Sequence, residues 1–515
     1  MFSKVGVLRL NTHALQITAA VAFIWLFVVL VYCYRDLSFS TPPSTNVSSS
    51  RPSSRPIQSS APVAQTYEPI KLGAQYFLDY PLREPYKDIF GELGQRAQFL
   101  RLWIEQLEGV DGTSEEREEV VELLERLTKS LFPYLKREEG ASPPLEAIQT
   151  RLGISQNEEG NLTATRRQAG IVIPTGENTL RFACHLVASL TRVHKTALPI
   201  QIVYAGDDDL SPAGRDKIQE AAGDVEVDML DILTVFDDKT LKLAEGGWAI
   251  KPFAALASDF EKVILLDADA VFLQDPEQLF RQDRFQETGV LLFHDRLLWK
   301  GMFADRHNWW HEQLKHPSPE TEKSLVWTEH YSEEGDSGIV VVDKTRLDVL
   351  IGLLHVGWQN SEAVRNEVTY KITYGDKESW WIGFEATGSK YSFSPHYGGI
   401  VGWLESTEQD EDNVDKSKRE EEVRVCSFVI AHVDQTDKLL WYNGGLLKNK
   451  IVNQTDFEVP THWMIDQTWY KGAAKKDMSC MAGDKATELS EDERGILARS
   501  IDVARDVDER LGLLS

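Results

Sequence analysis

The stretch Lys262-Val-Ile-Leu-Leu-Asp-Ala-Asp-Ala-Val-Phe-Leu273 decides how this chain is read. Val263 to Leu266 is an unbroken apolar and β-branched run, the pattern of a strand buried on both faces. It leads directly into Asp267-Ala-Asp269. Carboxylates two residues apart, at the carboxyl end of a buried strand, lie where open α/β sheets bind ligands. They are hard oxygen donors that suit Mg²⁺ or Mn²⁺. A divalent ion held there would bridge to a diphosphate and neutralise its charge as it leaves. Asp-x-Asp alone is a weak motif, so its weight comes from its surroundings.

Around this strand the chain alternates. Gly170 to Pro174 reads as a first strand, Asn178 to Arg192 as a helix, and Pro199 to Tyr204 as a second strand. Another helix follows Ser211-Pro212, with Ser as cap and Pro in the first turn. Strand and helix in alternation imply a doubly wound, mostly parallel α/β sheet. From about 76 to 168 the spacing is helical instead. Phe99, Leu102, Trp103 and Leu107 form one stripe, and Val120, Leu124, Leu127 and Leu131 another. Thr113 with Glu116 reads as a capping box opening the second of these helices. This region is expected to form a small helical subdomain packed on the catalytic domain, without chemistry of its own.

Several polar clusters follow apolar runs and are expected to converge on the two carboxylates. Gly246-Gly-Trp248-Ala-Ile-Lys251 precedes the strand, and paired glycines allow close backbone approach to a ligand. Lys251 is placed near a phosphate or donor sugar, with Trp248 beside it as a substrate contact. His294-Asp295-Arg296 follows Val290 to Phe293, and Asp336 precedes the strand Ile339 to Val342. Tyr374-Gly-Asp376-Lys-Glu378 leads into Trp380 and Trp381; aromatic faces stack on sugar rings and carboxylates accept from hydroxyls. His432 ends the short apolar run Val429-Ile-Ala. Mn²⁺ accepts imidazole beside carboxylates, so His432 is the expected third ligand with Asp267 and Asp269, ahead of His396. Each of these residues taken singly would pass for an ordinary surface, capping or core group.

The chain has 515 residues and a formal charge of -26. That length allows two or three domains. So acidic a chain is a poor binder of nucleic acid, whose phosphates need Lys and Arg. Ala14 to Tyr34 is almost wholly apolar and long enough to cross a bilayer. Tyr32-Cys-Tyr34 is no Ala-x-Ala cleavage site, which disfavours a removable signal peptide. Lys4 and Arg9 precede the span, so the tail 1–13 is expected in the cytosol and the remainder in a lumen. Residues 35–75 read as a Ser/Pro-rich stem. The assignment continues with a catalytic domain over 169–485, interrupted by a charged surface loop from Glu405 to Val423, and a helical tail over 486–515. Asn46, Asn161 and Asn453 begin glycosylation sequons. Of the 4 cysteines, Cys33 lies in the span and Cys184 in an apolar helical pattern; Cys426 and Cys480 are expected to pair in an oxidising lumen.

The blocks 198–206, 246–253, 264–272, 293–296, 336–344, 374–381 and 439–443 together resemble the fungal α-1,3-mannosyltransferase family, glycosyltransferase family 71. The resemblance covers roughly 170–450 and the membrane-stem layout. It implies a type II Golgi membrane protein with a GT-A fold. It further implies a GDP-mannose donor, Mn²⁺ (or Mg²⁺) as cofactor, a mannose-terminated glycan as acceptor, and retention at the anomeric carbon. Lys251, Asp336, Asp295 and Trp248 would then bind substrate, with Lys251 adding charge near the phosphates and Asp336 and Asp376 on donor-mannose hydroxyls. Asp376 and Glu378 would lie under the anomeric carbon, as a shield or a transient nucleophile, unless the acceptor proton passes to the departing phosphate. Two other classes remain open. One is a catalytically silent glycan-binding subunit of a mannosyltransferase complex, using tandem aromatics such as Trp309-Trp310. The other is a metal-dependent nucleotide-sugar hydrolase.

Overall fold

The computed structural model describes residues 67–514 apart from 109–113, 138–139, 155–166 and 406–421. The expected cytosolic tail and membrane span, most of the stem, Cys33, Asn46, Asn161, Thr113 and most of the charged loop lie outside the described residues. Among the described residues no helix is long and apolar enough to cross a membrane. The unit from Thr66 onward is compact.

At its centre is a seven-stranded sheet made of β1 (Arg167–Pro174), β2 (Ile200–Tyr204), β3 (Val227–Asp231), β4 (Phe260–Leu266), β6 (Val290–His294), β7 (Gly335–Asp343) and β8 (Ser392–Phe393). The order is β3-β2-β1-β4-β7-β6-β8. Neighbours are parallel except where β7 meets β4 and β6, so β7 alone runs backwards. The sheet is therefore mixed and mostly parallel, as the alternation of strands and helices implies. Its apolar runs are buried on both faces. Val172, Val203, Val263, Leu265, Val340 and Val342 face one core, and Ile171, Ile173, Ile202, Ile264, Leu266, Ile339 and Val341 face the other. That alternation follows from the period-two pleat.

The helical region packs on the sheet. Helices Tyr86–Glu108 and Glu115–Leu131 share the first of these cores with the sheet. Val120, Leu124, Leu127 and Leu131 are buried as the spacing predicts. In the longer helix the buried stripe is Leu100, Trp103, Ile104 and Leu107, while Leu102 is 43% exposed. Each such buried aliphatic side chain contributes roughly 1.5–3 kcal/mol. The second helix is capped by Ser114, whose side chain accepts from Arg117 N. A helix at Glu68–Asp79 also occupies part of the span assigned to the stem.

The remaining strands are short and were not foreseen as sheets. β5 (Ala270–Phe272) pairs with β12 (Leu439–Asn443), which pairs with β11 (Ile430–Val433). β13 (Leu447–Asn449) and β14 (Asn453–Phe457) form a hairpin. An antiparallel sheet contains β9 (Ile400–Leu404), β10 (Val423–Ser427), β15 (His462–Met464), β16 (Thr468–Tyr470), β17 (Ser479–Gly483) and β18 (Thr487–Glu488). Cys426 on β10 stands opposite Cys480 on β17 and the two form the expected disulfide. Cys184 is buried and free. The last helix, Glu491–Leu511, begins with a capping box of Ser490 and Glu493. It packs on helix Leu180–Ala188.

Candidate active site

Strand direction assembles the site. Because β7 runs against β4, its first residues lie beside the last residues of β4: Leu266 pairs with Ile339, and Asp267 N donates to Gly338 O at 2.8 Å. β6 ends at the same place, with Phe293 opposite Asp336. The turn Asp267-Ala-Asp269 and the start of β7 thus share one rim of the sheet with His294 and Asp295. β5, which follows that turn, carries β12 and β11 in beside them.

Lys251 is the hub. Its side chain is only 4% exposed. Its ammonium lies 2.9 Å from Asp267 Oδ1 and 3.2 Å from Asp376 Oδ2, and it donates to Ser337 O at 2.6 Å and Ser337 Oγ at 2.9 Å. An ammonium has three protons, so these oxygens engage it fully. In this arrangement Lys251 is engaged with carboxylate and Ser337 oxygens, where its neighbours in sequence suggest a lysine that reaches a phosphate. It is a buried tie between β4, β7 and the helix Lys377–Ala386 that Asp376 precedes. Burial pushes the Asp267 carboxyl up to about 6; Lys251 opposes this, while the Asp269 and Asp376 carboxylates add to it.

Asp269 pairs with Lys450, and its carbonyl accepts from Gly444 N at 3.2 Å and Gly445 N at 2.7 Å. Gly444 and Gly445 have φ of 138° and 84°, a backbone that favours glycine. The side chains of Asp267 and Asp269 are about a quarter exposed. They are hard oxygen donors at the strand ends, and carboxylates crowd there in excess, so the pair fits a divalent cation.

His432 is not with them. Its Nε2 lies 3.0 Å from Asp336 Oδ2, with both side chains buried. Its ring stacks on Trp441, 4.3 Å between centroids. Among the described residues, the only trio of ligating side chains with all donor atoms within 4.8 Å is Glu405, Cys426 and Cys480, and the two cysteines are the disulfide. In this arrangement the imidazole sits as a partner of Asp336. Asp336 also accepts from Gly338 N and Asn443 Nδ2, each at 3.0 Å. Burial alone would raise its carboxyl; the His432 bond and charge, with Lys377 and the Gly338 N–H, hold it well below the usual carboxylate range. His396 bridges Asp466 at 2.7 Å and Asp437 at 2.9 Å, away from both.

Glu378 is fully buried. Oε1 accepts from Glu334 N at 2.9 Å and Gly335 N at 3.2 Å, and Oε2 from Trp381 Nε1 at 2.5 Å. Burial pushes its carboxyl up to about 8, against the Arg306 charge. It anchors the start of β7. Asp295 is likewise buried, held by Lys377 and by Arg296 at 3.1 Å. Burial would raise its carboxyl, but Lys377 and Arg296 hold it below the usual range.

The aromatic residues also sort by burial. Trp380 and Trp381 are buried and turn their indole N–H groups onto Asp376 and Glu378. Trp309 and Trp310 are buried too. None of these four rings offers a face to a sugar, so the tandem tryptophans are not a glycan-binding surface. Trp248 and Tyr374 do offer one, at 48% and 61% exposure, with ring centroids 5.2 Å apart. Sequence reading gave no role to Ser337, Lys377, Asn443 or Lys450, although the first three lie within the blocks 336–344, 374–381 and 439–443.

These features define a mixed α/β protein with a carboxylate and lysine centre at its strand ends. The mannosyltransferase family model Mannosyl_trans3 matches residues 168–434, which includes every strand of the central sheet but the first residue of β1. The chain belongs to this mannosyltransferase family. Alpha-1,3-mannosyltransferase MNT3 of Saccharomyces cerevisiae is 32% identical over 291 residues, covering 51% of this chain and 44% of the relative. Alpha-1,3-mannosyltransferase MNN1 of the same yeast is 27% identical over 327 residues, covering 54% of this chain and 40% of the relative. The chain thus spans less than half the length of these two relatives. Among solved structures, the mannosyltransferase Ktr4p from S. cerevisiae aligns with a TM-score of 0.30 at 10% identity, over 63% of this chain and 83% of that one. That score is low, and the fold assignment rests on the strand order.

Proposed function

We propose that the chain is a retaining GT-A-type glycosyltransferase that moves mannose from GDP-mannose to a mannose-terminated glycan in α-1,3 linkage. The observation that carries this reading is the pair Asp267 and Asp269, partly open to solvent at the end of β4, within a chain of the mannosyltransferase family. The two carboxylates would hold Mn²⁺ or Mg²⁺, whose charge stabilises a departing diphosphate.

The protein's own residues set the rest. Lys251 keeps Asp267 and Asp376 together, so the partly exposed Asp267 carboxylate is fixed before the donor arrives. Such preorganisation costs no rearrangement during reaction. In transfer, the acceptor oxygen bonds to the anomeric carbon, the bond from that carbon to the diphosphate oxygen breaks, and GDP departs. Glu378 has both oxygens engaged in the core, and Asp376 Oδ2 is held by Lys251 and by Trp380 Nε1 at 2.8 Å. Glu378 is thus committed to the core through both oxygens, and Asp376 through one of its two. This supports the route in which the acceptor proton passes to the departing phosphate oxygen.

The same reading makes the chain a type II Golgi membrane protein with its catalytic domain in the lumen. The Cys426–Cys480 disulfide supports an oxidising compartment. The test is GDP release by the purified full chain, given GDP-mannose, Mn²⁺ and an α-mannose oligosaccharide. Release that needs acceptor, and that disappears with chelator or in Asp269→Ala, is the expected result. Release indifferent to acceptor would make the protein a nucleotide-sugar hydrolase. Absence of release from folded protein would overturn the enzymatic reading.

A further inference from the structure

Two lysines touch the Asp-x-Asp turn, and they differ in what they are free to do. Lys251 is 4% exposed, and moving it would leave Asp267 and Asp376 without their shared cation. Lys450 is 31% exposed. It occupies the turn between β13 and β14, reaches back to Asp269 Oδ2, and passes 5.5 Å from the Phe182 ring centroid. Its neighbours at that tip, Ile451 and Val452, are exposed at 46% and 63%. The turn backbone is held by Asn449, whose Oδ1 accepts from Ile451 N and Val452 N at 3.1 Å each, so what is free to change partner is the long, flexible Lys450 side chain itself. Behind it, Gly444 and Gly445 fasten the chain to the Asp269 carbonyl. The hairpin is thus tied at its base to the turn that its tip covers.

We propose that Lys450 is a diphosphate-binding residue, and that its ion pair with Asp269 is the donor-free arrangement, which it exchanges for the donor's phosphate oxygens. This rests on the reading of the site as a nucleotide-sugar site. The argument is one of charge. A divalent cation on Asp269 repels the ammonium already there, because both seek the same oxygen and like charges a few ångströms apart disfavour each other. A nucleoside diphosphate brings fresh negative charge to the same place, and an ammonium is a good point-charge partner for phosphate. Lys450 therefore acts with opposite sign on two ligands: it competes with the cation alone and cooperates with the cation-diphosphate complex. A lysine that merely props up the hairpin would do neither.

Calorimetry on the purified full chain reads both signs, with Mn²⁺ alone and then GDP at saturating Mn²⁺. In Lys450→Ala, Mn²⁺ alone is expected to bind severalfold tighter, while GDP binds about tenfold weaker or worse, the scale of a lost hydrogen bond to a charged group. Lys450→Arg, which keeps the charge, is expected to hold GDP within a few-fold of wild type. Lys450→Gln, closer in length to lysine, repeats the measurement if the alanine variant melts early. GDP binding unchanged in the alanine or glutamine variant overturns the proposal, as does equal weakening of Mn²⁺ and GDP. If the wild-type chain binds no GDP with the cation, the nucleotide-sugar reading fails and this inference falls with it. Wild-type binding with an indifferent Lys450 variant sinks this inference alone.

Discussion

His432 Nε2 lies 3.0 Å from Asp336 Oδ2, and this contact joins the three-stranded sheet to the reversed strand of the central one. Both groups are buried, so the bond acts in a medium that screens little. Removing one partner of such a pair costs about 3–5 kcal/mol, because the other is left charged or unpaired. His432→Ala is expected to lower stability by that order in urea unfolding, equally with and without Mn²⁺. The double variant His432→Ala/Asp336→Asn should cost less than the two single changes added. A loss seen only when Mn²⁺ is present would return the imidazole to the cation.

Lys251 gives the second prediction. Lys251→Met leaves Asp267 and Asp376 near each other without their shared ammonium. The expected result is a stability loss of about 3–5 kcal/mol and no measurable transfer. Asp267→Asn in that background should restore part of the melting temperature by removing one of the opposed charges. A Lys251→Met protein that melts like wild type and shows only a raised donor KM would reinstate the phosphate role read from sequence.

What was legible in the sequence, and what was not, follows from how information is stored. The run Val263 to Leu266 announced a buried strand because burial on both faces demands unbroken apolar character. Asp267 and Asp269 were legible as its exit. The direction of β7 was not, since a strand's period is the same whichever way it runs. Its reversal is what sets Asp336 beside Asp267, and the β5-β12-β11 pairing is what takes His432 to Asp336. Glu378 beside two tryptophans read as a sugar site. The indole N–H groups that make Trp suit a polar neighbour equally suit a buried anchor, and tertiary packing chose the second. The Leu102 misplacement has a simpler cause: a stripe built on Leu100, Trp103, Ile104 and Leu107 turns the residue at 102 outward.

Trp248 and Tyr374 form an exposed lip on the two segments whose inner residues, Lys251 and Asp376, meet in the core. Gly375, at φ 67°, fits the turn beneath Trp248, where a Cβ would approach the indole to 2.9 Å. Trp248→Ala and Tyr374→Ala should each raise the KM for an α-mannoside acceptor about 3–10-fold, the scale of aromatic contact energies. Surface substitutions of this kind leave stability within about 0.5 kcal/mol. An acceptor KM that does not move, with a donor KM that does, would assign the lip to the donor instead.

Glu378 predicts a pH dependence of stability. Burial raises its carboxyl to about 8 in the folded protein, above the roughly 4.3 of an unfolded glutamate. Between those values the folded state holds a proton that the unfolded state has lost. Stability from this group is therefore full below the unfolded pKa and is lost as pH rises toward about 8, at most about 1.4 kcal/mol per pH unit. Glu378→Gln keeps an oxygen for Glu334 N and Gly335 N but cannot titrate. Urea unfolding at pH 5, 6.5 and 8 should show a shallower fall for the variant than for wild type. Parallel curves would mean that Glu378 is ionised throughout.

Asp508 tests whether the C-terminal helix supports the site from behind. Its buried carboxylate bonds Arg181 at 2.9 and 2.7 Å and His185 at 2.7 Å. Both belong to helix Leu180–Ala188, whose Phe182, His185 and Leu186 line a small cavity with Asp269 and Gly445. Burial raises the Asp508 carboxyl, but the His185 and Arg181 bonds outweigh it and leave it below its usual value. Its stabilisation is thus present above the unfolded pKa of about 3.9 and lost as pH falls through the lower folded value. Asp508→Asn should lower stability at pH 7 by about 3 kcal/mol or more, and flatten the acid limb of the stability curve. Because the helix it anchors borders Asp269, the donor KM should rise as well. A variant with lowered stability and an unchanged donor KM would confine the C-terminal helix to holding the fold, and separate it from the Asp-x-Asp turn.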